Sequence, residues 1–371
     1  MAIDPSEAQG LPDQLAAAYS AAELALLAAI AAAIADGIDT DDWYDRQTEQ
    51  ARRLYRVAQV MAAQLQGDMP ALLQAAILEA HQLGVQGADT DLDDLPDDQV
   101  APPPPEPGDG RPSRRARVAA IEGVQVLAQV TEQLPLQVQS LYRSVVAQVE
   151  VRERAKTGTR LDAAQQALDI LTRRGITGFR DGAGRNWSLT SYIEMKSRTL
   201  VNQQLIDAHT ERMVERGQRL IIVSSHRNPA PQCQPYEGQV LSLDGSTGTV
   251  VLPSATGGGA VKVRIRATLA DARAAGFQHP NCRHAVSAYI PGATRTYRTK
   301  PDREGYEATQ VQRALERRKR AALQRRAVAV TPQAKREAAA RIRELNAQIK
   351  AHTEAHDLKR RPRRERTGVA R

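Results

Sequence analysis

Ser224-Ser225-His226-Arg227-Asn228-Pro229-Ala230-Pro231-Gln232-Cys233-Gln234-Pro235-Tyr236-Glu237-Gly238 opens the stretch on which this chain turns, and His279-Pro280-Asn281-Cys282-Arg283-His284 closes it. Both cysteines and three of the seven histidines of the 371-residue protein lie between Ser224 and Gly292. Thiols and imidazoles gathered at the two ends of one segment share a site when the chain between them folds back. Strand-like runs make that return: Leu220–Val223 before the first end, Val240–Leu243 and Val261–Ile265 between, with glycine-rich turns separating them. Thr268 and Asp271 start a short helix, Gly276 ends it, and the His279–His284 loop follows.

Outward from this module the pattern is helical. One helix is expected over residues 11–36 and a second over 41–66. Gly67-Asp68-Met69-Pro70 breaks the pattern before a third over 71–83. From residue 87 the composition changes: Asp89, Asp91, Asp93, Asp94, Asp97 and Asp98 precede Pro102–Pro105, and no lysine or arginine falls between Arg56 and Arg111. Such sequence buries too little apolar area to offset its ordering entropy, so a solvated, extended linker is expected, with a hinge or an acidic mimic of DNA as the functional alternative. Helical periodicity resumes over 114–156 with a stripe Val118, Ile121, Val124, Leu127 and a second Val138, Leu141, Val145, Val149, separated by Pro135. A helix over 161–172 buries Ala164, Leu168 and Leu171. A hairpin over 179–187 turns at Gly182 and Gly184. A long helix to about Arg216 carries Met195, Thr199, Asn202, Ile206, His209 and Met213 on one face, His209 as a packed residue. After Pro291-Gly292 the chain turns basic. Residues 313–371 hold roughly three cations for each acid. Lys335–Ile349 has a helical stripe, and disorder is expected past Lys359.

The expected organisation is therefore α+β and predominantly helical: a helical unit over 1–86, an acidic linker over 87–113, a helical middle region over 114–218, a β-containing Cys/His module over 219–296 and a basic helical or disordered tail over 297–371. Two cysteines cannot form a disulfide framework, which favours a reducing compartment. The sequence pI near 9.6 and formal net charge of +8 favour an anionic partner. Ala21–Ala35 is apolar but carries Glu23 and is too short and alanine-rich for a bilayer span, so no membrane partner is expected.

Ser-x-His226, Cys233-x-Pro-Tyr236-Glu237-Gly238-x-Val-Leu, and His279-Pro280-Asn281-Cys282-Arg283-His284 before Tyr289-x-Pro291-Gly292 together resemble the tailed-phage minor capsid protein 2 family, related to Mu-type head-morphogenesis proteins. Phe179-Arg-Asp181-Gly-Ala-Gly184-Arg185-Asn-Trp187 and the helix start through Tyr192, Met195, Arg198 and Thr199 match the same pattern. The resemblance covers about residues 175–292 and leaves the tail after about residue 300 uncovered. It implies a structural minor capsid or head-morphogenesis protein that is assembled in the bacterial cytoplasm and resides in the virion head. Its partners would be portal protein, major capsid or scaffold protein, and double-stranded DNA bound without sequence preference. Its mechanism would be binding, not turnover. The rival class is a Cys/His-dependent enzyme or toxin carried in the virion.

Three chemistries fit the residues. Zinc takes four thiolate or imidazole ligands in a tetrahedron. Cys233, Cys282 and His284 with either His226 or His279 would supply them, since Cys282 and His284 point the same way on extended backbone. No Cys-x-x-Cys finger is present. The alternative is a motif in which Cys233 is buried and the histidines bond the backbone around Pro229, Pro231 and Pro280. A thiol nucleophile would need an imidazole base and an acid, Glu237 or Asp244, and an oxyanion site that the sequence does not reveal. In the tail, Arg317, Arg318, Lys319, Arg320, Arg325, Arg326, Lys359, Arg360, Arg361, Arg363 and Arg364 form the clusters suited to phosphate neutralisation on duplex DNA. Few aromatics interleave them, so base stacking on single strands is not expected.

Overall fold

The computed structural model describes Ala8 and residues 10–93, 114–156, 158–180, 184, 186–280, 282–300 and 302–367. In chain order the elements are α1 (Gly10–Ala35), α2 (Trp43–Leu92), α3 (Arg114–Glu132), α4 (Leu134–Arg154), α5 (Arg160–Arg174), β1 (Thr177–Arg180), β2 (Asn186–Ser188), α6 (Leu189–Glu215), β3 (Leu220–Val223), β4 (Val240–Ser242), β5 (Gly248–Pro253), β6 (Ala260–Thr268), α7 (Leu269–Ala274), β7 (Val286–Ala288), α8 (Arg303–Val328) and α9 (Pro332–Ala355). The fold is α+β and predominantly helical. It divides into two units, each built from three separated stretches: 1–12, 72–123 and 195–307 in the first, 13–71, 124–194 and 308–371 in the second.

The first unit carries the sheet, in the order β5-β6-β4-β3-β7. β3 pairs antiparallel with β4 and β7, and β5 with β6, while β4 and β6 run parallel with β5 as the return. Side chains alternate between faces at period two. One face sends Ile221, Val223, Leu241, Val286 and Ala288 into a core with Ile206 and Met213 of α6 and Ala88 and Leu92 of α2. The other face gathers Leu220, Ile222, Val240, Val263, Ile265 and Tyr289. β5 escapes the sequence reading because it is a half-exposed edge strand with no apolar alternation strong enough to mark it. The end of α2 reaches α6 closely because Gly84 has no side chain: a Cβ there would collide with Leu205 O and stand 2.8 Å from Ala208 Cβ.

Three sequence expectations are corrected here. The Gly67–Pro70 break does not occur: α2 is a single helix of 50 residues with Pro70 inside it. An interior proline forfeits one helical hydrogen bond and crowds the preceding turn, at roughly 3 kcal/mol. Burial of Leu65 and Met69 before it and Leu73, Ala76 and Ile77 after it offsets that cost. Nor does the acidic stretch begin as linker at residue 87. Asp89 lies in α2 and pairs with Arg212 at 2.9 Å and Arg216 at 2.7 Å. Asp91, also in α2, holds the buried His209 Nε2 at 3.2 Å and accepts from Ala288 N. Residues 94–113 lie outside the described residues. The stripe of α3 is the third correction: Ala116, Ala120, Leu127 and Val130 are buried, whereas Val118 and Ile121 are 46% and 58% exposed.

In the second unit Leu15, Tyr19, Leu26, Leu27, Ile30 and Ile34 of α1 are buried. By length and composition α1 could cross a membrane, yet its Glu23 is buried and engaged. Glu23 accepts from Ile176 N at 2.9 Å and from Thr190 Oγ1. Pro135 sits in the first turn of α4, where its missing N–H is harmless. Thr159 and Asp162 form a capping box on α5, with Ala164, Leu168 and Leu171 buried as the spacing predicts. β1 and β2 pair antiparallel through Phe179 and Trp187; Gly182 of the expected turn lies outside the described residues. α8 and α9 form a hairpin around Leu315, Ala322, Ile342, Leu345 and Ile349. It is held on α5 by Arg325 to Asp169 at 2.7 Å and by Gln165 Oε1, which accepts from Val330 N and Thr331 N.

Candidate functional site

Pro229 and Pro231 remove two backbone donors and keep residues after β3 from extending the sheet. A turn closes instead from Cys233 N to Ala230 O at 2.9 Å, and one 3-10 turn over Gln234–Tyr236 delivers Glu237. Gly238 then returns to the strand, its N–H bonding Val223 O at 2.9 Å. Its φ of +65° and the Tyr297 ring, 2.5 Å from where a Cβ would stand, both require glycine. At the far end, α7 stops, Gln278 adopts a φ of +57°, and Cys282 N turns back to His279 O at 2.8 Å. Positive φ at a non-glycine residue is a local cost accepted where position matters. Arg273 Nε donates to Gln278 Oε1 at 2.6 Å and holds it there.

The two ends meet inside the core beneath the sheet. Cys233 Sγ lies 3.7 Å from Cys282 Sγ, and both thiols are free and buried. Cys282 Sγ lies 3.3 Å from His284 Nδ1, and His284 Nε2 donates to Glu237 Oε1 at 3.0 Å. Glu237 Oε1 also accepts from His226 N at 2.7 Å, and Oε2 from Thr299 Oγ1 at 2.7 Å. Cys233, Cys282 and His279 present ligand atoms all within 4.8 Å of one another. His279 is half-buried, and its Nδ1 donates to Pro280 O at 2.8 Å. His226 stands outside this group. Its Nε2 donates to Arg283 O at 2.6 Å and its ring meets the His284 ring edge-on at 4.7 Å. Between the two histidines that the sequence leaves open as a fourth ligand, the geometry favours His279.

The hydrogen bond to Cys282, with burial, pushes the Cys233 thiol up. The same hydrogen bond, with the His284 contact and against burial, pulls the Cys282 thiol well below its usual range. Burial pushes the His284 imidazole down, but the Cys282 sulfur and the Glu237 carboxylate outweigh it and leave the ring raised. Burial and the neighbouring His284 lower His226.

This set fits a divalent ion. Two thiolates bound at about 2.3 Å to one tetrahedral zinc stand about 3.8 Å apart, close to the observed sulfur separation. The converging ligand atoms are those of Cys233, Cys282 and His279; His284 stands beside them, its Nδ1 at the Cys282 sulfur and its Nε2 backed by Glu237, as a carboxylate backs a ligating imidazole. The remaining motif residues serve the frame: Tyr236 packs on Phe277 with ring centres 5.3 Å apart, and Pro280 and Arg283 contribute carbonyls. Asn281 lies outside the described residues. Sequence reading missed Thr299, and it placed Asn202 on a helix face without assigning it to the site, where its Nδ2 donates to Cys282 O at 3.3 Å. No local motif marks either, since both arrive from distant elements.

The basic clusters divide. Lys319 donates to Glu365 Oε2 and Asn346 Oδ1, both at 2.6 Å, and Arg360 donates to Glu365 at 2.7 Å. Arg325 is held by Asp169 and Glu337, Arg320 donates to Arg364 O, and Arg361 is half-buried. Arg317, Arg318, Arg326, Lys359 and Arg363 are exposed. The expected disorder past Lys359 is corrected as far as residue 367: a 3-10 turn over Pro362–Glu365 buries Glu365 against Lys319 and Arg360.

A family model described as Phage minor capsid protein 2 matches residues 3–354. That span extends well beyond the motifs of residues 175–292 and takes in the basic hairpin that the resemblance left uncovered. No curated protein and no solved structure matches the chain.

Proposed function

The chain belongs to the phage minor capsid protein 2 family, and from that premise we propose that this structural phage protein works by adhesion at the portal vertex. It docks on portal and on major capsid or scaffold protein, and its exposed arginines meet packaged duplex DNA. The observation that carries the reading is the family match over nearly the whole chain. Binding rather than turnover agrees with a thiol pair sunk in the core, with Cys233 0% and Cys282 8% exposed. Co-expression with portal and capsid proteins, followed by sedimentation, tests it. Co-migration with portal assemblies is expected, and persistent separation at low salt would reject portal docking.

The DNA reading rests on Arg317, Arg318, Arg326, Lys359 and Arg363, the members of the dense basic clusters that stand exposed. Removing one cation that neutralises a phosphate should reduce the salt slope of binding by roughly one. The variant Arg317→Gln/Arg318→Gln/Arg326→Gln should therefore bind duplex more weakly and with a shallower salt dependence. Binding as tight as the parent at every salt concentration removes the tail from the DNA interface.

Cys233, Cys282, His279 and His284 are proposed to hold a structural zinc ion that ties the loop after β3 to the loop after α7. When bound, the metal supplies a crosslink and no chemistry. Elemental analysis of purified protein should give about one zinc per chain, lost in Cys282→Ser. A second reading rests on the unbroken Cys282–His284–Glu237 chain, the connectivity of a thiol nucleophile. Metal-free protein whose Cys282 is alkylated far faster than an ordinary buried thiol would favour that reading over zinc.

A further inference from the structure

Arg264 and Arg266 stand two residues apart on β6, so the pleat sends both to one face. Both are exposed, while Val263 and Ile265, on the opposite face, are buried. The chain after β7 returns beside Glu237–Gln239 and is stitched there. Tyr297 N donates to Gly238 O at 3.1 Å, Gln239 Nε2 to Tyr297 O at 2.5 Å, and Thr299 Oγ1 to Glu237 Oε2 at 2.7 Å. The stitching delivers Arg298 to the same place. Arg264, Arg266 and Arg298 thus line one cavity of about 260 Å³, with Glu237 as its acidic residue.

None of the three guanidinium groups is engaged by a carboxylate among the described residues. Glu237 does not neutralise them, because its oxygens already face His284, His226 N and Thr299. Three cations held around one cavity repel one another unless an anion sits between them. Guanidinium forks match phosphate and carboxylate oxygens alike. A carboxylate offers two oxygens and one charge. A phosphate group offers more oxygens and up to two charges, which matches three arginines against one glutamate. The volume has room for one such group.

We propose that this cavity is a binding site for a phosphate group, separate from the basic hairpin of α8 and α9 and from the cysteines. The group comes either from a free phosphate or nucleotide or from a nucleic-acid backbone. Calorimetric titration of the full chain with inorganic phosphate, a nucleoside monophosphate and a short duplex tests the proposal. Saturable phosphate uptake of one per chain is expected. It should weaken at least about tenfold in Arg264→Gln/Arg266→Gln, since each charge-assisted hydrogen bond is worth about that factor, and persist in Arg317→Gln/Arg318→Gln. Phosphate that displaces duplex assigns the site to nucleic acid, and phosphate that binds beside duplex assigns it to the free anion; either keeps the site. Should the double variant misfold by circular dichroism, Arg298→Gln in the loop replaces it with the same expectation. Parent-like affinity in a folded variant overturns the proposal. So does absent phosphate uptake, or a glutamate-rich peptide that binds more tightly through the same arginines.

Discussion

At the residue scale, Gly238 shows how one position fixes a site. It combines positive φ with the Tyr297 ring above it. Gly238→Ala should cost about 2 kcal/mol or more, from backbone strain and displacement of the ring. Urea unfolding measures it, with Gly257→Ala at an open loop tip as the strain-only comparison. The sequence made much of this scale legible. Cys233, Cys282, His279 and His284 stood out because sulfur and imidazole are rare here, and rare groups at both ends of a fold-back converge. What it could not tell was which histidine turns inward. That depended on His226 finding Arg283 O, a carbonyl with no side-chain signature.

At the element scale, helices with a regular apolar stripe were readable and continuations were not. Ala164, Leu168 and Leu171 announced α5 by their spacing, whereas Pro70 announced a break that burial on both sides overrode. The chain after α9 was misread for a related reason: its composition is that of a solvated tail, but Glu365 folds it back. The Arg360 guanidinium, with Lys319 and against burial, holds the Glu365 carboxyl below its usual range. A depressed carboxyl contributes stability above its unfolded value and loses it as pH falls through the folded one. The turn over Pro362–Glu365 should therefore be intact at neutral pH and release only below about pH 4. Glu365→Gln should abolish that transition and cost about 1–2 kcal/mol at pH 7, because the half-buried Lys319 and the partly exposed Arg360 lose their charged partner. Amide exchange of residues 359–367 against pH follows both effects; an acid release that persists in the variant assigns it to another group.

At the scale of the whole molecule, each unit is assembled from three stretches of sequence. Local periodicity could suggest helices in order along the chain but could not show that residues 308–371 complete the unit that residues 13–71 begin. The last stretch is tied into its unit by long-range contacts such as Arg325 to Asp169 of the middle stretch. A chain truncated after residue 307 should therefore lose cooperative unfolding in its remaining helices rather than merely shed a basic tail. Unfolding monitored by circular dichroism checks this, and a truncated protein that melts as sharply as the parent contradicts it. The same interleaving constrains birth on the ribosome. At roughly 5–20 residues per second, α1 waits on the order of tens of seconds for the last segment of its own unit to emerge. Until it does, Asp169 and Gln165 of α5 lack their partners Arg325, Val330 and Thr331, so yield in cells should depend on chaperone supply and translation speed more than on the finished protein's melting point.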